Sequence, residues 1–291
     1  MGKAQRRQAT WTQRIAQTEA IMSAARQLLM KEKRLLLFPI ASTAALLLLT
    51  AVWAAPPLIE TFTDTSWSGA VPQSGLPSYG DAFLFYLVTY AVAIFFNAAL
   101  VVCVLRNLEG EPVSTLGAFR ETVGLFPQII GWALLSATIG MVLKTIERRS
   151  GFIGGVVVKL IGLSWTVTTF LVIPVVVAEG KGPIDAVRES MQLLRRTWGE
   201  DLLAGIGFGA LYFFLAIPGA LAFVVGAGSI ASHPIVAVIV MTLAILYFSL
   251  LGLVLTTLST IFDVVLYRYA KSGTITPGFD LALLDSSFIT K

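Results

Sequence analysis

The 291-residue chain is 56% hydrophobic and 13% charged, with 21 Lys and Arg against 17 Asp and Glu and a formal net charge of +4. So much apolar surface cannot be hidden in one soluble core, which excludes an ordinary globular protein and points to a membrane bundle. The basic excess is small and no aromatic-interleaved basic groove accompanies it, so nucleic acid is not an expected partner.

Residues 1–34 hold Lys3, Arg6, Arg7, Arg14, Arg26, Lys31, Lys33 and Arg34 against Glu19 and Glu32. This reads as a basic cytoplasmic segment, and Trp11, Ile15, Ala25 and Leu28 sketch an apolar face on it. The first apolar run starts too late for a signal peptide, so it is expected to be a permanent helix. Six runs follow: Leu35–Pro57, Ala82–Leu105, Leu125–Leu143, Leu160–Ala178, Leu202–Gly226 and Ile235–Leu266. Each has about the 20 residues that a helix needs to cross the hydrocarbon layer. No charge stands in the central part of any run. Pro39, Pro127, Pro174 and Pro218 fall within them, as membrane helices tolerate. Period-two alternation is missing, which excludes a porin-like barrel.

The loop at 58–81 has no Lys or Arg, and its charges are Glu60, Asp64 and Asp81. The asymmetry predicts that loop outside and both termini in the cytoplasm. Residues 144–159 break the rule, with Lys144, Arg148, Arg149 and Lys159 facing Glu147 alone. Runs three and four then either cross with a basic external hairpin or form a re-entrant hairpin. Their length favours crossing. The chain divides into a 1–34 cytoplasmic segment, a 35–269 six-span domain and a 270–291 cytoplasmic tail.

A short repeat precedes two odd-numbered runs: Ala118-Phe119-Arg120-Glu121-Thr122 returns as Ala186-Val187-Arg188-Glu189-Ser190. A weaker copy is Ala24-Ala25-Arg26-Gln27-Leu28. Leu116, Phe119, Val123 and Phe126 recur at helical spacing, as do Ile184, Val187, Met191, Leu194 and Trp198. Both segments predict short amphipathic helices lying at the cytoplasmic interface, apolar face toward the membrane. Val187, Met191 and Leu194 are the expected buried face of the second. The plainer reading makes them connecting helices packed on the bundle floor.

Residues with catalytic chemistry are scarce. There is no H-E-x-x-H, P-loop, G-x-S-x-G or intramembrane carboxylate pair, and the lone Cys103 and His233 do not make a metal site. No cofactor fingerprint occurs, since the Gly205-x-Gly207-x-Gly209 pattern follows no strand. Asn97 is the most polar residue well inside a run and should face protein, as an interhelical clamp or as a substrate or ion contact. Asp263, near the end of the last run, is placed to reach Arg268 or water. Glu179, Arg188 and Trp198 mark the interface after run four. These four, with Asn97 first, are the candidate functional or interhelical positions; none is a catalytic assignment.

The segment FLVIPVVVAEGKGPIDAVRESMQLLRRTWG, residues 170–199, carries a resemblance. Together with Phe95-Phe96-Asn97-Ala98-Ala99-Leu100 and Gly131-Trp132-Ala133-Leu134-Leu135-Ser136-Ala137-Thr138, it resembles a prokaryotic family of six-span integral membrane proteins, a domain of unknown function. More distantly it is similar to the membrane domain attached to some glycerophosphodiester phosphodiesterases. The resemblance implies fold and membrane location and no activity, because the catalytic domain of the phosphodiesterases has no counterpart here.

The expectation is an all-α polytopic bundle of about six spans with amphipathic interfacial helices, in the inner or plasma membrane. The favoured role is non-enzymatic: a scaffold, assembly factor or auxiliary subunit acting through lipids, anionic ones included, or through a second copy or another membrane protein. The rival is a transporter or channel for an apolar or lipid-like substrate.

Overall fold

The computed structural model describes residues 26–63, 79–111, 114–197 and 207–272. The described elements are helical, and the chain is an all-α helical bundle. In chain order they are α1 (Leu37–Thr63), α2 (Tyr79–Leu108), α3 (Thr115–Gly124), α4 (Phe126–Arg149), α5 (Phe152–Thr168), α6 (Val172–Glu179), α7 (Pro183–Thr197), α8 (Gly207–Gly228) and α9 (Pro234–Ser272). A 3-10 turn, Lys33–Leu36, leads into α1.

Among the described residues, five stretches are long and apolar enough to cross a membrane: Lys33–Ala54, Phe83–Leu108, Phe126–Arg149, Gly154–Glu179 and Pro234–Arg268. The fifth expected run forms α8, whose apolar stretch within the described residues is Tyr212–Gly228. The start of that run, 202–206, lies outside the described residues, as do Trp11 and Ile15 of the amino-terminal face. The hairpin expected at 144–159 is far tighter in the structure. Helix α4 continues to Arg149 and α5 begins at Phe152, so only Ser150 and Gly151 join them. The basic residues sit mostly on the last turns of α4, where its carbonyl ends favour positive charge.

The chain separates into two compact units, 37–191 and 1–36 with 192–291, the division falling inside α7. In the 37–191 unit α2 is the central helix, packed by α1, α3, α4 and α6. Its segment Ala98–Val104 is buried throughout, as are Ile129 and Ala133 on α4 and Val172 and Val176 on α6. Large side chains including Leu47, Leu48, Val52, Leu134 and Leu160 point outward instead. Bulky apolar side chains on the outside suit a bundle solvated by lipid. Aromatic pairs staple neighbours: Trp53 with Phe85 at 5.1 Å and Trp132 with Trp165 at 6.0 Å between ring centroids.

In the other unit α8 packs along α9. Gly219 makes this approach possible: a Cβ there would stand 2.7 Å from Tyr247 Cδ1. The Tyr247 hydroxyl donates to the Leu215 carbonyl, one turn before Pro218. Pro218 is the proline inside its helix, whereas Pro39, Pro127 and Pro174 occupy first turns, where no N–H is needed.

Candidate functional site

The span Gly154–Glu179 is not continuous. It breaks between α5 and α6 at 169–171, just ahead of Pro174. A proline ring crowds the carbonyl four residues back and offers no N–H, so the ladder must give way there. Tight bonds replace part of it: Phe170 N–H donates to Val167 O at 3.2 Å and Val172 N–H to Thr169 O at 3.1 Å. Thr168 O and Leu171 N–H are then left over inside apolar surroundings. The hydroxyl of Ser190, on α7, serves both. It donates to Thr168 O at 2.7 Å and accepts from Leu171 N–H at 3.2 Å. Ser190 and Leu171 are both fully buried.

Helix α6 ends at Glu179, and Gly180 closes it in the left-handed conformation with φ +62°. The turn brings Lys181 back between two carboxylates. Its Nζ lies 2.7 Å from Glu179 Oε2 and 2.9 Å from Glu189 Oε2. Glu179 first, and Glu189 with it, hold the Lys181 ammonium above its ordinary value. Helix α4 seals this turn from the other side. Gln128 Nε2 reaches Gly180 O at 3.5 Å, and a Cβ on Gly131 would stand 2.9 Å from Pro183 Cγ.

A second cluster repeats the plan. Arg106, at the end of α2, bridges Glu111 at 3.0 Å and Glu121 at 3.1 Å. The two clusters stand at one end of the 37–191 unit. Glu121 lies on α3, α3 runs through Leu125 alone into α4, and the first turn of α4 carries Gln128 against Gly180.

The sequence repeat explains the likeness and extends beyond five residues. The offset from Ala118 to Ala186 is 68 residues, and it also aligns Glu111 with Glu179, Leu116 with Ile184 and Phe126 with Leu194. In each copy two glutamates ten residues apart close on one cation. In each copy the alanine and the hydroxyl residue, Ala118 with Thr122 and Ala186 with Ser190, are 0% exposed. The spacing of large apolar residues hid this, because the inward face is built of small side chains. On α7 the structure buries Ala186, Ser190, Leu193 and Leu194. Val187 and Met191, expected inside with Leu194, are only half-buried, and Ile184 is exposed. The small residues turn the inward face by part of a helical turn.

Of the positions singled out from sequence, Glu179 lies at the centre of the cluster. Arg188 points away, 68% exposed, and meets Asp185 at 3.3 Å. Asn97 is half-buried on α2, about 13 Å along the helix from Arg106. Trp198 lies outside the described residues. Lys181, Glu189, Ser190, Arg106 and Gln128 are not among the candidate positions, although Glu189 and Ser190 stand in the repeat. Among the described residues no group of three His, Cys, Asp or Glu is placed to hold a metal ion. Ion pairs and the Ser190 hydroxyl tie α6 to α7, and the Gln128 amide joins α4 to the turn between them.

Comparison with known proteins adds one finding. A family model matches residues 78–278. The chain belongs to DUF6159. DUF6159 is a family of unknown function, and the match runs from α2 to the end of α9, taking in both ion clusters and leaving α1 outside. No curated protein and no solved structure matches this DUF6159 chain.

Proposed function

We propose that this multi-pass membrane protein is a non-enzymatic scaffold, assembly factor or auxiliary subunit that works through lipid and protein contacts at its Arg106/Lys181 end. The observation that supports this is how the polar side chains there are used. The ion pairs and the Ser190 hydroxyl fix the helix ends and hold α3 and the start of α7 as surface elements between spans. In this reading that end and both termini lie in the cytoplasm and the membrane is the inner or plasma membrane; the Lys and Arg excess of residues 1–34 over the loop at 58–81 supports the orientation. The distant resemblance read from residues 170–199 to the membrane domains of some glycerophosphodiester phosphodiesterases would fit a lipid-related setting. Purification in mild detergent, followed by identification of co-purifying proteins and lipids, tests this. A partner or lipid retained in stoichiometric amount is the expected result. A bare protein that exchanges all lipids freely would overturn it.

A second reading, a transporter for an apolar or lipid-like substrate, draws on two observations. One is the broken span α5–α6. The other is Asp263 in the last span, whose Oδ1 is shielded from solvent with no hydrogen-bond partner among the described residues. Buried carboxylates and discontinuous helices are features of transport sites. Flux of a fluorescent lipid into proteoliposomes, lost in Asp263→Asn, would favour this reading over the first.

A further inference from the structure

Helix α3 has a fixed position and an open face. It starts seven residues after the end of α2, and one residue, Leu125, separates it from α4. Both neighbours are long enough to span a membrane, so α3, about 15 Å long, is confined to the membrane boundary. Its inward side is Ala118 and Thr122. Its outward side is bulky and apolar, with Leu116 67% and Val123 50% exposed, and Phe126 continues the stripe onto α4. Arg120 borders the stripe, one turn from Leu116 and from Val123.

The repeat supplies an internal comparison. In α7 the equivalent face is closed beyond its first turn: Leu194 is buried and Val187 and Met191 are half-buried, while Ile184, aligned with Leu116, is exposed. Its Arg188 is also engaged by Asp185. In α3 the residue aligned with Asp185 is Gly117, so the acid is missing. Glu121, the acid beside Arg120, is taken by Arg106. Arg120 forms no ion pair or hydrogen bond among the described residues. One copy of the unit thus has a partly closed face and a satisfied arginine, and the other an open face and an unsatisfied one.

We propose that α3 is a binding site for an anionic phospholipid, with Leu116, Val123 and Phe126 among the acyl chains and Arg120 at the headgroup phosphate. This rests on the reading that the Arg106/Lys181 end works through lipid and protein contacts, and it names the site. An apolar stripe bordered by arginine at the membrane boundary is matched in both polarity and charge by that ligand.

The test uses the full chain in mild detergent, titrated with phosphatidylglycerol or phosphatidylcholine and read by native mass spectrometry. The expected result is tighter binding of phosphatidylglycerol. Arg120→Gln should weaken it about fivefold, the effect of one arginine near an anionic surface, and leave phosphatidylcholine unchanged. Arg120→Lys should retain most of the preference, and Arg188→Gln all of it. Leu116→Gln, at a position with no packing to lose, should weaken both lipids. Equal loss in Arg120→Gln and Arg188→Gln, or none in either, overturns the site. Displacement of phosphatidylglycerol by millimolar inorganic phosphate would also overturn it, since the arginine would then be a phosphate site and not a lipid one. Co-purification by the unaltered protein reads the broader proposal separately, so a failure of Arg120 leaves that result standing.

Discussion

Removing one oxygen atom at Ser190 should loosen two helices at once. In Ser190→Ala the carbonyl of Thr168 loses its donor and the N–H of Leu171 its acceptor, bonds of 2.7 and 3.2 Å in the structure. Neither group can turn to the helix ladder, because Pro174 has already displaced the break to this point. Ser190 and Leu171 are fully buried, so water cannot readily replace the hydroxyl. An orphaned buried backbone group costs about 1–3 kcal/mol. Two of them, with partial relaxation, give about 2–4 kcal/mol for the variant. Thermal unfolding in mild detergent should show Tm lowered by about 5–10 °C. Amide exchange at Leu171 should accelerate in parallel. Ser190→Thr keeps the hydroxyl, as Thr122 does at the aligned position, and should recover most of the loss less a small cost for the added methyl. A Ser190→Ala protein as stable as its parent, with Leu171 still protected, would refute the argument that this hydroxyl holds the break.

Gly131→Ala should destabilise by about 1–3 kcal/mol, because its Cβ would stand 2.9 Å from Pro183 Cγ and force α4 away from the start of α7. Gly219→Ala should cost a similar amount on the α8–α9 pair, where Tyr247 and Phe248 lie within 3.0 Å of the new atom; thermal unfolding reads both. Lys181→Met removes the cation between Glu179 and Glu189 and should cost about 1 kcal/mol at neutral pH, the scale of a partly exposed pair. Since the carboxylates raise the Lys181 ammonium above its ordinary value of 10.5, its contribution is complete below that pH and fades as pH climbs past it. Stability measured between pH 6 and 9 should therefore show no slope from this group. Finally, cysteines placed at Glu111 and Ser150 should react with a membrane-impermeant thiol reagent from opposite sides, because a spanning helix, α4, separates them; native Cys103 is buried and should stay silent.

The spans were readable in the sequence because length and apolarity are enough to specify them. Their interior partners were not, because a face built from Ala118 and Thr122 has no hydrophobic period to detect. The same blindness turned α7: Val187 and Met191 carry the period, while Ala186 and Ser190 make the contact. Glu179 stood out as a charge ending an apolar run. Lys181 and Glu189 did not, because their meeting depends on the left-handed turn at Gly180, and a glycine in sequence does not say which way the chain will fold back. Pro174 warned of a disturbed helix. That a serine sixteen residues later would repair it is information held only by the packing of α7.

The burial of α2 bears on how the chain is made. Ala98 to Val104 end up enclosed by protein, yet α3, α4 and α6, three of the four helices packed on α2, come later in the chain. Unless they are shielded during synthesis, these residues meet lipid first and neighbours afterwards. Helix α2 is apolar enough to be a span by itself, so it can leave the translocation machinery and wait in the bilayer. Alanine and valine suit both solvents: apolar enough for the wait, small enough for the later docking. A polar substitution at Val101 should consequently be penalised twice, once in insertion efficiency and again in assembly, whereas the same change at outward Leu48 on α1 should be penalised only by the lipid.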